Sequence, residues 1–185
     1  MQSRKLIAYL GLSLDGYIAK LDERVDWLEA VEGEGDNGYG DFYAGIDTVL
    51  MGRKTYDWIN QQMAYYPYPD KTNYVFTINP LETPYATVIT ENPEDFVRRL
   101  KAQSGADIWL CGGGCLVSSL LNSGLVDRLH LTFAPIILGK GISLYQNIRK
   151  EQTLELLDSR RHGQFVELIY QVNNEENNDI SRKNQ

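Results

Sequence analysis

The chain has 185 residues, 43% of them hydrophobic, and a formal net charge of −7. That length suits one core of moderate size, no apolar run approaches the roughly 20 residues needed to span a bilayer, and no broad cationic face of the kind duplex nucleic acid requires is present. The expectation is a soluble, cytoplasmic, single-domain protein that handles a small molecule and neither nucleic acid nor membrane.

In chain order, Lys5–Leu10 reads as a first strand, left through the loop of GLSLDGYIAK between Gly11 and Gly16. Residues 22–45 are irregular, with a short helix expected over Asp41–Ala44. Thr48–Met51 is a buried strand, and GRKTYDWINQQM continues as a helix with Tyr56, Ile59 and Met63 on one side. AYYPYPD is a loop, either exposed or forming a partner contact, and Asn73–Phe76 and Thr87–Ile89 are strands. Asn92-Pro93-Glu94-Asp95 marks a helix start, because Asn caps, Pro suits the first helical position and the acids complement the dipole. Asp107–Cys111 is a strand, Cys115–Asn122 a helix, and Asp127–Phe133 an alternating strand that places His130 on its polar face. Leu154–Leu157 and Phe165–Val172 finish the list as antiparallel strands. Strands alternating with helices, then strand following strand, indicate an α/β sheet that is largely parallel with an antiparallel C-terminal edge. Residues 1–172 form the domain, and the polar tail 173–185 is expected to be disordered.

Two stretches carry chemistry. In WLCGGGCL (109–116) three glycines join a strand to a helix. The turn suits either tight packing or close approach of an anion to unpaired helix N–H groups. Cys111 and Cys115 lack the spacing of a zinc or CxxC redox site and are expected to fill space, so no metal is expected. In MGRKTYD (51–57), Arg53, Lys54 and Thr55 gather at a helix start, where cations oppose the dipole unless an anion joins them.

SLDGYIA (13–19), MGRKTY (51–56), YVFT (74–77), WLCGGGCLVSSLL (109–121) and DRLHLTFAPIILGKG (127–141), in that order, resemble the dihydrofolate reductase-like superfamily. The resemblance is closer to the branch holding the C-terminal reductase domain of the bifunctional riboflavin-biosynthesis protein and its stand-alone relatives. It implies a three-layer α/β fold, NADPH as cofactor and a homodimer. It implies that Gly52, Arg53, Lys54 and Thr55 meet the cofactor phosphates, that Gly112, Gly113, Gly114, Cys115 and Leu116 lie beneath the pyrophosphate, and that Thr77 lies near the adenosine ribose. Leu14, Gly16 and Ile18 belong to the loop closing over the nicotinamide, with Asp15 as the substrate-orienting group. Ile137, Leu138 and Gly139 approach the same ring.

Trp27, preferred over Trp58, and Asp36 complete the expected substrate pocket. The function implied is NADPH-dependent reduction of a small heterocycle, similar to 5-amino-6-(5-phosphoribosylamino)uracil reductase. Dihydrofolate reductase-type activity and a non-catalytic NADP-binding module are the alternatives. GEGDNGYGDFYAG (33–45) offers Asp36 and Asp41 but no clear match to the buried acid that folate reduction uses.

Overall fold

A computed structural model describes residues 4–173; most of the tail expected to be disordered lies outside them. The strands are β1 (Leu6–Ser13), β2 (Tyr17–Ala19), β3 (Ile46–Gly52), β4 (Thr72–Phe76), β5 (Thr87–Ile89), β6 (Asp107–Gly112), β7 (Arg128–Ala134), β8 (Ile142–Ser143), β9 (Leu154–His162) and β10 (Phe165–Val172). The helices are α1 (Asp26–Glu29), α2 (Tyr39–Ala44), α3 (Arg53–Gln62), α4 (Pro93–Lys101) and α5 (Gly114–Asn122).

The main sheet has the order β5-β4-β3-β6-β1-β7-β10-β9. Its pairs from β5 to β7 are all parallel, and β10 runs antiparallel to both β7 and β9. The architecture expected from the sequence is therefore the one observed. Leu6, Ala8, Leu10 and Leu12 of β1 face one side and pack with Leu50, Leu110 and the buried faces of α4 and α5. Val49, Met51, Val75 and Trp109 face the other side, beneath Tyr56 and Ile59 of α3 and Phe42 of α2. Three layers result, and the period-2 alternation of the strands decides which residues enter which core.

Several elements differ from expectation. β1 runs on through Gly11 to Ser13, because seven consecutive register pairs with β7 hold it in the sheet. β9 extends to His162 although nearly all its side chains are exposed. It is an edge strand, held on one side by β10, so it needs no apolar alternation. Met63 ends α3 as its cap residue and is 49% exposed, so it does not share the buried side of that helix. The AYYPYPD loop contributes Tyr66 and Tyr68 to the core, leaving Tyr65 outside.

The N-terminal edge of the parallel strands is tied by charge. Arg4 is 5% exposed and bonds Ala106 O at 2.6 Å, Thr48 Oγ1 at 2.7 Å and the Asp47 carboxylate. Asp127 accepts from Leu6 N at 2.7 Å and pairs with Lys101 at 2.5 Å, and Asp107 accepts from Lys5 N at 2.9 Å.

Candidate functional site

The opposite, C-terminal edge opens into a cleft of about 1140 Å³. Ligands of open α/β sheets bind beyond the carboxyl ends of the strands, and this cleft is larger than the roughly 300–1,000 Å³ usual for one small ligand. Its floor is where β3 turns into α3 and β6 turns into α5. The parallel pairing of β3 with β6 places those two turns side by side.

Glycine is required there by geometry. Gly113, which precedes α5, has φ +93°, a conformation that L side chains rarely adopt. A Cβ on Gly112 would stand 3.2 Å from Thr55 Oγ1, and one on Gly114 would stand 2.5 Å from Gln146 Nε2 and 2.6 Å from Ser143 O. Gly112 thus lets the start of α3 pack against the end of β6, and Gly114 lets α5 pack against β8 and the segment after it.

The helix starts differ in how their N–H groups are met. α4 is capped by Asn92 Oδ1, which accepts from Glu94 N and Asp95 N. α3 and α5 begin after Gly52 and Gly113, and neither receives a side-chain cap. Two sets of first-turn amides, each at the positive end of a helix, therefore converge on one cleft. Such a floor accepts an extended anion with negative groups a helix spacing apart.

The cations beside it are held in place. Arg53 Nε lies 2.8 Å from both carboxylate oxygens of Asp57, and its Nη1 donates to Pro80 O at 3.2 Å. Lys54 reaches Glu23 Oε1 at 2.9 Å, joining α3 to the loop after β2. Thr55, Cys115 and Leu116 also line the cleft. Of the residues expected at the cofactor phosphates and the adenosine ribose, Thr77 lies outside the cleft lining. Its N donates to Ile89 O and its Oγ1 pairs with Asn79.

The expected substrate residues scatter more widely. Ile18 lines the cleft, but Leu14 and Gly16 form the turn beyond β1, with Leu14 61% exposed. Asp15 is engaged within the fold: it accepts from Ser13 Oγ at 2.7 Å, Leu138 N at 3.1 Å and Gly139 N at 2.7 Å. Desolvation, the largest single influence, opposes ionisation, but the hydrogen bonds together outweigh it and hold the carboxyl below its usual range. Asp15 thus pins the loop after β7 to the turn after β1 through Leu138 and Gly139, and these two, with Ile137, lie outside the cleft lining rather than against a nicotinamide position within it. Asp36 has a similar duty at α2, accepting from Gly40 N at 2.8 Å and Gly38 N at 3.0 Å, which lowers its pKa.

Trp27 is 4% exposed and packs with Ala134 and Phe165, away from the cleft. The adjacent Leu28 faces the cleft in its place, over Gly11. Aromatic lining of the cleft comes instead from Tyr9, Trp58, Tyr68 and Trp109, with Cys111 beside them. The sequence signal for these was partial: Tyr9 and Trp109 sit at alternating strand positions, but only the β1–β6 pairing brings them together.

The two cysteines sit in different surroundings. Burial pushes the Cys111 thiol up to about 12, and Tyr68 Oη lies 3.7 Å from its sulfur. Cys115 is exposed rather than packed, and its thiol donates to Gln146 Oε1 at 3.0 Å. Among the described residues no three His, Cys, Asp or Glu side chains gather in a metal-binding group, and no helix is long and apolar enough to cross a membrane.

The chain matches the family model of the RibD C-terminal domain over residues 4–168. It belongs to that family. Among curated proteins it is 43% identical to the uncharacterized protein YwjB of Bacillus subtilis, over 90% of this chain and 97% of that one. It is 33% identical to YyaP of the same organism, over 94% and 97%.

Among solved structures it superposes on a Shewanella sp. PV-4 protein ascribed to riboflavin biosynthesis, with a TM-score of 0.83, 25% identity and 91% and 99% coverage. The dihydrofolate reductase of Enterococcus faecalis, solved with NADP(H), gives a TM-score of 0.62 at 17% identity, over 92% and 97% of the two chains. That likeness shows the dihydrofolate reductase-like fold. The RibD C-terminal domain is a reductase family, and the chain is a RibD C-terminal, reductase-like domain.

Proposed function

We propose that this protein is an NADPH-dependent reductase of a small heterocyclic substrate. The observation that carries the reading is the pair of uncapped helix starts, α3 and α5, opening side by side on one cleft. The residues fit the cofactor: Gly52, Gly112 and Gly113 leave the amides of α3 and α5 open to a pyrophosphate, with Lys54, Thr55 and Cys115 beside it. Arg53, oriented by Asp57, is the cation we assign to the 2′-phosphate that distinguishes NADPH from NADH. Bound there, the nicotinamide supplies a hydride.

The chain's own part is alignment and exclusion of water. Leu28, Ile18, Tyr9 and Trp109 line the cleft, and Asp15 holds the loop after β7 in place. Dihydrofolate-type reduction is not favoured, since Glu23 is the acid lining the cleft among the described residues and it is paired with Lys54. Family membership alone would suggest 5-amino-6-(5-phosphoribosylamino)uracil as the substrate, but among the described residues the cleft lining offers its phosphate no cation beyond Arg53 and Lys54, which the cofactor reading uses.

Calorimetry with NADPH and NADH tests the reading. Micromolar or tighter NADPH binding is expected, and the double change Arg53→Ala with Lys54→Ala should weaken NADPH by about 1–3 kcal/mol and NADH by less. Binding of neither nucleotide would remove the cofactor assignment.

A further inference from the structure

The charges of the cleft are unevenly distributed. Among the described residues that line it, Glu23, Arg53 and Lys54 are the charged ones, and all three stand at the α3 end. The other half is walled by Tyr9, Tyr68, Trp109, Cys111 and Leu28, with Trp58 packed against the same aromatic cluster.

The polar atoms of that wall are turned inward. Trp109 Nε1 donates to Tyr9 O at 3.1 Å, and the Tyr68 hydroxyl lies against Cys111 Sγ. Burial raises the pKa values of Tyr9, Tyr68 and Cys111, so the wall stays uncharged across the ordinary pH range. Behind it, the carboxylate of Glu167 is 3% exposed and faces His130 at 3.7 Å and His162 at 3.5 Å without lining the cleft.

A phosphate or carboxylate entering this half would lose its water and meet no cation. A flat ring system without charge would gain burial and aromatic contact there. We propose that the second ligand of the cleft, the substrate in the reductase reading on which this rests, is an uncharged planar aromatic or heteroaromatic molecule without phosphate or carboxylate. The phosphoribosyl substrate named for the Thermotoga maritima reductase, a structure 14% identical to this chain, falls outside that class.

A matched pair of inert probes, 2-naphthol and 2-naphthyl phosphate, tests this by calorimetry. NADPH is titrated first, which reports on the cofactor reading by itself. The probes then follow, with NADPH saturating where it binds and without it where it does not. The expected result is that 2-naphthol binds at least tenfold more tightly than its phosphate ester. Trp58→Ala should weaken 2-naphthol about fivefold. Leu28→Arg, at a partly exposed position, should strengthen the ester at least tenfold by supplying the missing cation. Equal or tighter binding of the ester to the unaltered protein, or failure of 2-naphthol to bind, would overturn the proposal whatever NADPH does.

Discussion

The two edges of the parallel sheet are built from opposite materials. At the N-terminal edge Arg4, Asp47, Asp107, Asp127 and Lys101 pair with one another and with strand-end backbone groups. At the C-terminal edge glycines leave helix amides open, and the cations stand beside a cleft. Polar groups that are satisfied internally stabilise the fold, whereas groups left open at a concave surface are available to a ligand. The same contrast recurs between helices: Asn92 closes α4, and glycine leaves α3 and α5 open.

Substitutions at each edge should therefore separate binding from stability. The largest effect on binding is expected from Gly113→Val. Its φ of +93° would be strained by about 1–3 kcal/mol, and the side chain would enter the turn beneath the cleft. Nucleotide titration should show at least about a hundredfold loss of affinity, roughly 3 kcal/mol. If affinity survives, the turn is not part of the cradle.

Arg4→Met should do the converse. Three acceptors lose their donor, Asp47 being partly solvated, and urea unfolding should show a loss of about 2 kcal/mol. NADPH affinity of the folded protein should be unchanged, and a comparable loss of affinity would erase the distinction between the edges. The smallest effect belongs to Asn92→Ala, which removes one cap. About 1 kcal/mol of stability should be lost, with nucleotide binding changed little, although Pro93 borders the cleft.

How much of this was legible in the sequence depended on the range of the forces involved. The start of α4 was readable because Asn92, Pro93, Glu94 and Asp95 act within one turn. The GRKT and triple-glycine stretches were readable as strand-to-helix turns for the same reason, and strand pairing sets them side by side.

Trp27 and Trp58 could not be ranked in that way. Which indole faces the cleft depends on how α1 and α3 sit on the sheet, and Leu28 rather than its neighbour points inward. Asp15 and Asp36 were identifiable as carboxylates in loops, but their partners, Gly139 and Gly40, are set by the folded loops around them. The length of β9 was hidden because an exposed edge strand needs no hydrophobic pattern.

Amide NMR during an NADPH titration tests the central claim most directly, since the glycines on the floor report individually. Large shifts are predicted at Gly52, Gly112, Gly113 and Gly114 and at the amides of residues 53–55, 115 and 116, with residues 4–6, 94 and 95 little changed. Shifts confined to the N-terminal edge, with the floor glycines unmoved, would contradict the assignment of the C-terminal edge as the dinucleotide cradle.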